Sequence, residues 1–291
     1  MFENLEKAIN DANANVIRYL LYKDGEIFEH DRVACNPSLN CYSVSKNFTA
    51  TAVGIAYDKR LLDVEDHIVD FFKNELPDNY DENLKQVKIK HLLTQTMGLS
   101  EGFLFEADRF THNTDNWMGL ALSAKLPFKP GEKFTYSNST FYLLSCIVEK
   151  VAGMPMDMFL QQNMFKKVGI TSFAWDRCPK GHTMGATGLY IPTMAMLKLG
   201  ILYLNKGVWQ GERVLSEKWV QMATTKSPEM SDIPTAFGFW MGENGNYHCG
   251  GAYSQFIIVY PSKNIVIAAH SFDDKSDIFG LLNNYVNTQF G

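Results

Sequence analysis

The chain has 291 residues, 46% hydrophobic and 20% charged, which sits near the globular average and outside the disordered, collagenous and membrane classes. A net charge of -5 without a basic stripe offers a phosphate backbone nothing to hold, which argues against nucleic acid as a partner. The five cysteines (Cys35, Cys41, Cys146, Cys178 and Cys249) are odd in number and form no C-x-x-C pair, so neither a disulfide framework nor a structural zinc site is expected.

The N-terminus lacks the basic stretch and apolar core of a signal peptide, so a cytoplasmic location is expected. Phe2 to Ala14 carries Phe2, Leu5, Ile9 and Ala12 at helical spacing. Val16 to Tyr22 and Glu26 to Glu29 flank Lys23-Asp24-Gly25 and predict a hairpin with an Asp-Gly turn. Ser43 to Asp58 has no clean polar face, the mark of a helix buried in the middle of a domain. Further helices are predicted over Ile89 to Thr96, Thr140 to Ala152, Met156 to Lys166 and Thr193 to Leu204. The chain then returns to strands at Phe237 to Met241, Tyr253 to Tyr260 and Ile265 to Phe272, with a closing helix from Asp277 to Thr288. The late apolar runs are too short to span a bilayer, so no membrane span is expected.

Strands, a helical insert, then strands again imply an α+β fold. An antiparallel sheet from both chain ends, residues 1–60 and 225–291 with the terminal helices, stands beside a mainly helical lobe of residues 61–224. The two form one continuous catalytic unit.

Three motifs carry chemistry. In Ser43-Val44-Ser45-Lys46, positions i and i+3 share a helix face. A serine hydroxyl needs a nearby base to become a nucleophile, and a buried lysine can be that base because desolvation disfavours an ammonium. In Tyr136-Ser137-Asn138, after a Pro130-Gly131 turn, a phenol and an amide two residues apart can point into one cleft. The phenol can pass a proton to a leaving group, and the amide can hold a substrate carbonyl. In His248-Cys249-Gly250-Gly251, a donor precedes glycines that let a substrate approach the backbone. The amide of Gly251 could join that of Ser43 as an oxyanion hole.

S-x-x-K, then Y-x-N, then a K-T-G-like strand motif resembles the serine β-lactamase and penicillin-binding protein family, in particular the class C branch and its esterase and amidohydrolase relatives. His91-Leu92-Leu93-Thr94-Gln95-Thr96-Met97-Gly98-Leu99 and Gly185 to Gly200 add to the resemblance, which covers roughly residues 15 to 290. It implies a β-lactamase/transpeptidase-like fold and a serine hydrolase working through an acyl-enzyme on Ser43. Lys46 and Tyr136 would move protons, Asn138 would orient the acyl amide, and His248 would meet the far end of the substrate. The substrate would be a small ester, amide, peptide or β-lactam, with no cofactor and no metal. The alternative is a penicillin-binding or sensor-type protein that acylates without efficient turnover.

Two departures stand out. His248 replaces the lysine that meets a substrate carboxylate in β-lactam-processing members, which shifts weight toward esters, amides and peptides. Gln95 and Met97 stand where relatives often carry His and Ser. A competing motif, Gly98-Leu99-Ser100-Glu101-Gly102, fits the G-x-S-x-G nucleophile elbow, but that elbow requires a strand before the serine, and a helix is predicted there.

Overall fold

The computed structural model describes residues 1–33, 37–108, 111–226, 232 and 235–291; Cys35 lies outside them. The hairpin forms as predicted, with β1 (Val16–Lys23) and β2 (Glu26–Asp31) in register from Lys23↔Glu26 to Arg18↔Asp31. Asp24 and Gly25 take φ of 51° and 97°, the left-handed pair that a two-residue turn between twisted strands requires. Four late strands complete the sheet: β3 (Trp240–Met241), β4 (Tyr247–Gly251), β5 (Gln255–Tyr260) and β6 (Ile265–Ser271). The order is β2-β1-β6-β5-β4-β3, antiparallel throughout, so the first and last parts of the chain meet at the β1–β6 pair.

Alternation along the strands gives the sheet two apolar faces. Tyr19, Leu21, Ile258, Tyr260, Ile265, Ile267 and Ala269 face the terminal helices, α1 (Glu3–Asp11) and α5 (Ile278–Gln289), which also pack on each other. Leu20, Ile257, Val259, Val266 and Ala268 face the helical part of the molecule. That part includes α2 (Ser45–Asp58), α3 (Asn138–Ala152) and α4 (Thr193–Leu204). Helix α4 lies directly on the sheet because Gly200 has no side chain; a Cβ there would stand 2.5 Å from Val266 and 2.8 Å from Ile257. Every residue of α2 from Ser45 to Ala56 is buried, which accounts for its missing polar face.

Several predicted boundaries shift for local reasons. The helix at Ile89 ends at Leu93, two residues before Gln95 at φ 57°. The helix from Met156 is interrupted by a π-helical turn over Gln161–Phe165. The predicted strand Phe237 to Met241 shrinks to Trp240–Met241, since Gly238 takes φ 82°. The predicted strand at Tyr253 starts only at Gln255, because Tyr253 and Ser254 form a left-handed turn at φ 57° and 65°. Among the described residues, no helix is long and apolar enough to cross a membrane.

Candidate active site

Ser43 lies one turn earlier than the α-helix proper, in a 3-10 turn over Tyr42–Val44 that runs straight into α2. The turn is set by Tyr42 at φ 48°, an unfavourable conformation for a bulky residue and one that clusters at functional sites. The Tyr42 N–H is held by Asn40 Oδ1 at 2.8 Å, and the Val44 N–H by the Cys41 carbonyl at 3.1 Å. Ser43 is half-exposed, while Lys46, three residues on, is only 3% exposed.

The i, i+3 spacing survives the change of helix type. Lys46 Nζ lies 3.2 Å from Ser43 Oγ, 2.7 Å from Asn138 Oδ1 and 3.0 Å from the Ala186 carbonyl. Among the described residues, its hydrogen-bond partners are all neutral. Two of them, the Asn138 and Ala186 oxygens, can only accept, and each takes one N–H. The third N–H points at Ser43 Oγ. The ring of Tyr136 lies above the amine, with its centroid 4.8 Å from Nζ.

Tyr136 and Asn138 are positioned by the start of α3. Ser137 is its N-cap and accepts the Ser139 N–H at 3.2 Å, so the residue between the two motif positions does the capping. Asn138 turns inward: its Nδ2 donates to the Leu104 carbonyl at 3.1 Å while Oδ1 receives Lys46. Gln95 braces both neighbours of Tyr136. Its side-chain Oε1 accepts the Ser137 N–H at 2.7 Å, and its main-chain carbonyl accepts the Thr135 N–H at 2.9 Å. The Tyr136 ring stacks between Phe105, at 6.3 Å and 6°, and Trp240, at 6.2 Å and 20°.

Strand β4 approaches from the other side. A Cβ on Gly251 would lie 2.5 Å from the Cys41 carbonyl, so the strand backbone touches the nucleophile turn only because this residue is glycine. Cys249 is buried on the same face, and its thiol is held well above the ordinary range by burial, with Cys41 adding to the effect. His248 and Gly250 occupy the opposite face. The His248 ring packs 4.6 Å from Phe279 of α5, and a Cβ on Gly250 would meet the Phe256 ring at 3.4 Å. Burial lowers the His248 pKa to about 4, so this imidazole is neutral at pH 7.

The sequence motifs therefore bring Ser43, Tyr136 and Asn138 together around Lys46 Nζ, with Gly251 beside them and His248 outside the cluster. The motifs assigned no site role to Ala186, Gln95, Leu104 or the flanking rings Phe105 and Trp240. Ala186 and Leu104 act through main-chain carbonyls, which no side-chain motif can reveal. Ser100 of the G-x-S-x-G stretch is exposed on a bend that follows helix Ile89–Leu93, without the preceding strand that an elbow needs.

The beta-lactamase family profile matches residues 39–286. A penicillin-binding protein of Bacillus subtilis (strain 168) is 31% identical over 153 residues, covering 50% of this chain and 32% of the relative, so the chain spans about a third of that protein's length. A solved penicillin-binding protein from Bacillus halodurans superposes with a TM-score of 0.78 at 18% identity, covering 100% of both chains. A hydrolase with promiscuous acyltransferase activity superposes with a TM-score of 0.77 at 15% identity, covering 99% of this chain and 98% of its own.

Proposed function

The chain belongs to the beta-lactamase family, and we propose that within this family of hydrolases it transfers the acyl group of a small, uncharged ester or amide to water through Ser43. Ser43 Oγ attacks the carbonyl carbon, and its proton passes to Lys46 Nζ. The carbonyl oxygen takes the negative charge and is met by the backbone N–H groups of Ser43 and Gly251. As the tetrahedral intermediate collapses, the bond to the leaving group breaks and a proton reaches that group by way of Lys46 and the Tyr136 hydroxyl. Water then attacks the ester formed on Ser43, gives up a proton through the same pair, and releases the acid with the serine restored.

The observation that carries this reading is the hydrogen-bond set of Lys46. Two carbonyl oxygens fix two of its N–H groups and leave the third position for Ser43 Oγ at 3.2 Å. Asn138, with both ends of its amide engaged by Lys46 and Leu104, serves in this account to hold the base. The account favours uncharged substrates because His248 is neutral and turned toward Phe279, leaving no cation on β4 for a substrate carboxylate. Steady-state hydrolysis of an aryl ester and of a penicillin, with wild type beside Ser43→Ala, tests the reading. We expect the ester to be the better substrate and the variant to lose at least about 10³-fold. Undiminished hydrolysis by Ser43→Ala would sink it.

A further inference from the structure

Two exposed rings lie beside the nucleophile turn. Tyr253 and Phe272 are 39% and 59% exposed, and they stack on each other at 4.9 Å and 11°. Tyr253 also meets the ring of Tyr42 at 5.1 Å, and Tyr42 is the residue immediately before the nucleophile. Isolated exposed apolar side chains are ordinary, but a contiguous stack leading to a reactive serine is a binding surface.

The backbone holds this stack rigidly. Tyr42, Tyr253 and Ser254 all take left-handed φ, at 48°, 57° and 65°, without being glycine. Such strain persists only where the surroundings over-determine it, and it gathers at ligand sites. Here the brace is the buried Gln255, whose amide nitrogen donates to the carbonyls of Ala252 at 3.2 Å, Tyr253 at 3.0 Å and Ser271 at 2.7 Å. Ser254 Oγ donates to the Asp273 carbonyl at 2.9 Å. The Asp273 carboxylate in turn receives the N–H groups of Asn15, Lys275 and Ser276 at 2.7–2.8 Å. The two turns carrying Tyr253 and Phe272 are thus tied to one another.

The chemistry of the stack is apolar. Burial raises the Tyr42 hydroxyl pKa, with Tyr253, Glu106 and Tyr190 adding in the same direction. Tyr136 and Lys46, which deliver the leaving group's proton, belong to the separate Phe105–Trp240 stack. A substrate whose leaving group lies toward Tyr136 turns its acyl substituent toward Tyr42. We propose that Tyr42, Tyr253 and Phe272 form the acyl-side subsite and select an uncharged aryl or extended apolar acyl group. The inference rests on Ser43 being the nucleophile.

The test compares p-nitrophenyl acetate, phenylacetate and hemisuccinate, which share one leaving group, across wild type, Phe272→Ala, Phe272→Leu and Tyr253→Ala. Thermal melts would check that each variant folds. Wild type should prefer phenylacetate to acetate by about tenfold in kcat/KM, and the hemisuccinate should be the poorest. Phe272→Ala and Tyr253→Ala should lower the phenylacetate-to-acetate ratio by about five- to tenfold, chiefly through KM, with Phe272→Leu in between. A ratio unchanged in both alanine variants would overturn the proposal, as would a preference for the hemisuccinate. Binding of phenylacetamide to Ser43→Ala, followed by NMR with and without Phe272→Ala, needs no turnover. Weaker binding in the double variant supports the subsite even if the nucleophile is misassigned, and equal binding rejects it even if Ser43 is the nucleophile.

Discussion

The two walls of the cleft are built on different principles. On the helical wall, side chains do the work: Lys46 and Asn138 are each tied by two or more hydrogen bonds, the Gln95 side chain holds the Ser137 N–H, and Tyr136 is clasped between rings. On the strand wall, the motif side chain His248 turns to the far face of β4, and what reaches the nucleophile turn is the backbone at Gly251. A helix can gather residues three or four apart at one point, whereas a strand offers alternate faces and a row of amides. The helical wall should therefore respond to loss of functional groups, and the strand wall to added bulk.

The largest effect should come from Lys46→Met, which keeps the length of the side chain and removes its amine. Its kcat on an aryl ester should fall about 10²–10⁴-fold, read by stopped assay. Next is Gly251→Ala on the strand wall. The new Cβ, 2.5 Å from the Cys41 carbonyl, must push β4 away from the nucleophile turn, and displacing an oxyanion donor should cost about 10²–10³-fold in kcat. Gln95→Leu removes the acceptor of the Ser137 N–H and lets Tyr136 drift, for a loss of about tenfold in kcat and about 1–3 kcal/mol of stability in urea melts. Gln95→Glu retains that acceptor and should recover much of the rate. The smallest effect is at His248. His248→Asn should stay within about threefold of wild type, and its pH–rate profile between pH 5.5 and 8 should match that of wild type. A large loss there would break the contrast between the walls.

The strand side should reveal itself in stability instead. Burial lowers the pKa of His248 to about 4 and that of His270, on β6, to about 3. In the unfolded chain both titrate near 6.5. Below that pH the unfolded state binds protons that the fold refuses, so stability present at pH 7 is lost as pH falls toward 4. The fully buried His270 alone supplies a slope of up to about 1.4 kcal/mol per pH unit. Urea melts between pH 7 and 5 would measure it, and a flat profile would contradict the assigned burial.

Much of the helical wall was legible in the sequence, because helical spacing converts directly into proximity. Ser43 and Lys46 meet at i, i+3, and the apolar sequence of α2 foretold the burial of its lysine. The Asp24-Gly25 turn and the return of the chain to β at its end fixed the sheet in outline. The strand wall was not legible to the same depth. Which face His248 occupies depends on the pairing of β4 with β5, and a shift of one residue exchanges the faces. Gln95 drew notice as a departure from the family pattern, but its partners, the amides around Tyr136, lie some forty residues away in the chain. The 3-10 turn at Ser43 hangs on Tyr42 taking a left-handed φ, which a tyrosine does not advertise.

Intact-protein mass spectrometry reads directly whether Ser43 carries the acyl group. Wild type and Ser43→Ala would be mixed with an activated aryl ester and, separately, a penicillin, and sampled from seconds to hours. Wild type alone should gain a mass increment equal to the acyl group of the ester, decaying as product appears. An equal increment on Ser43→Ala would contradict that assignment.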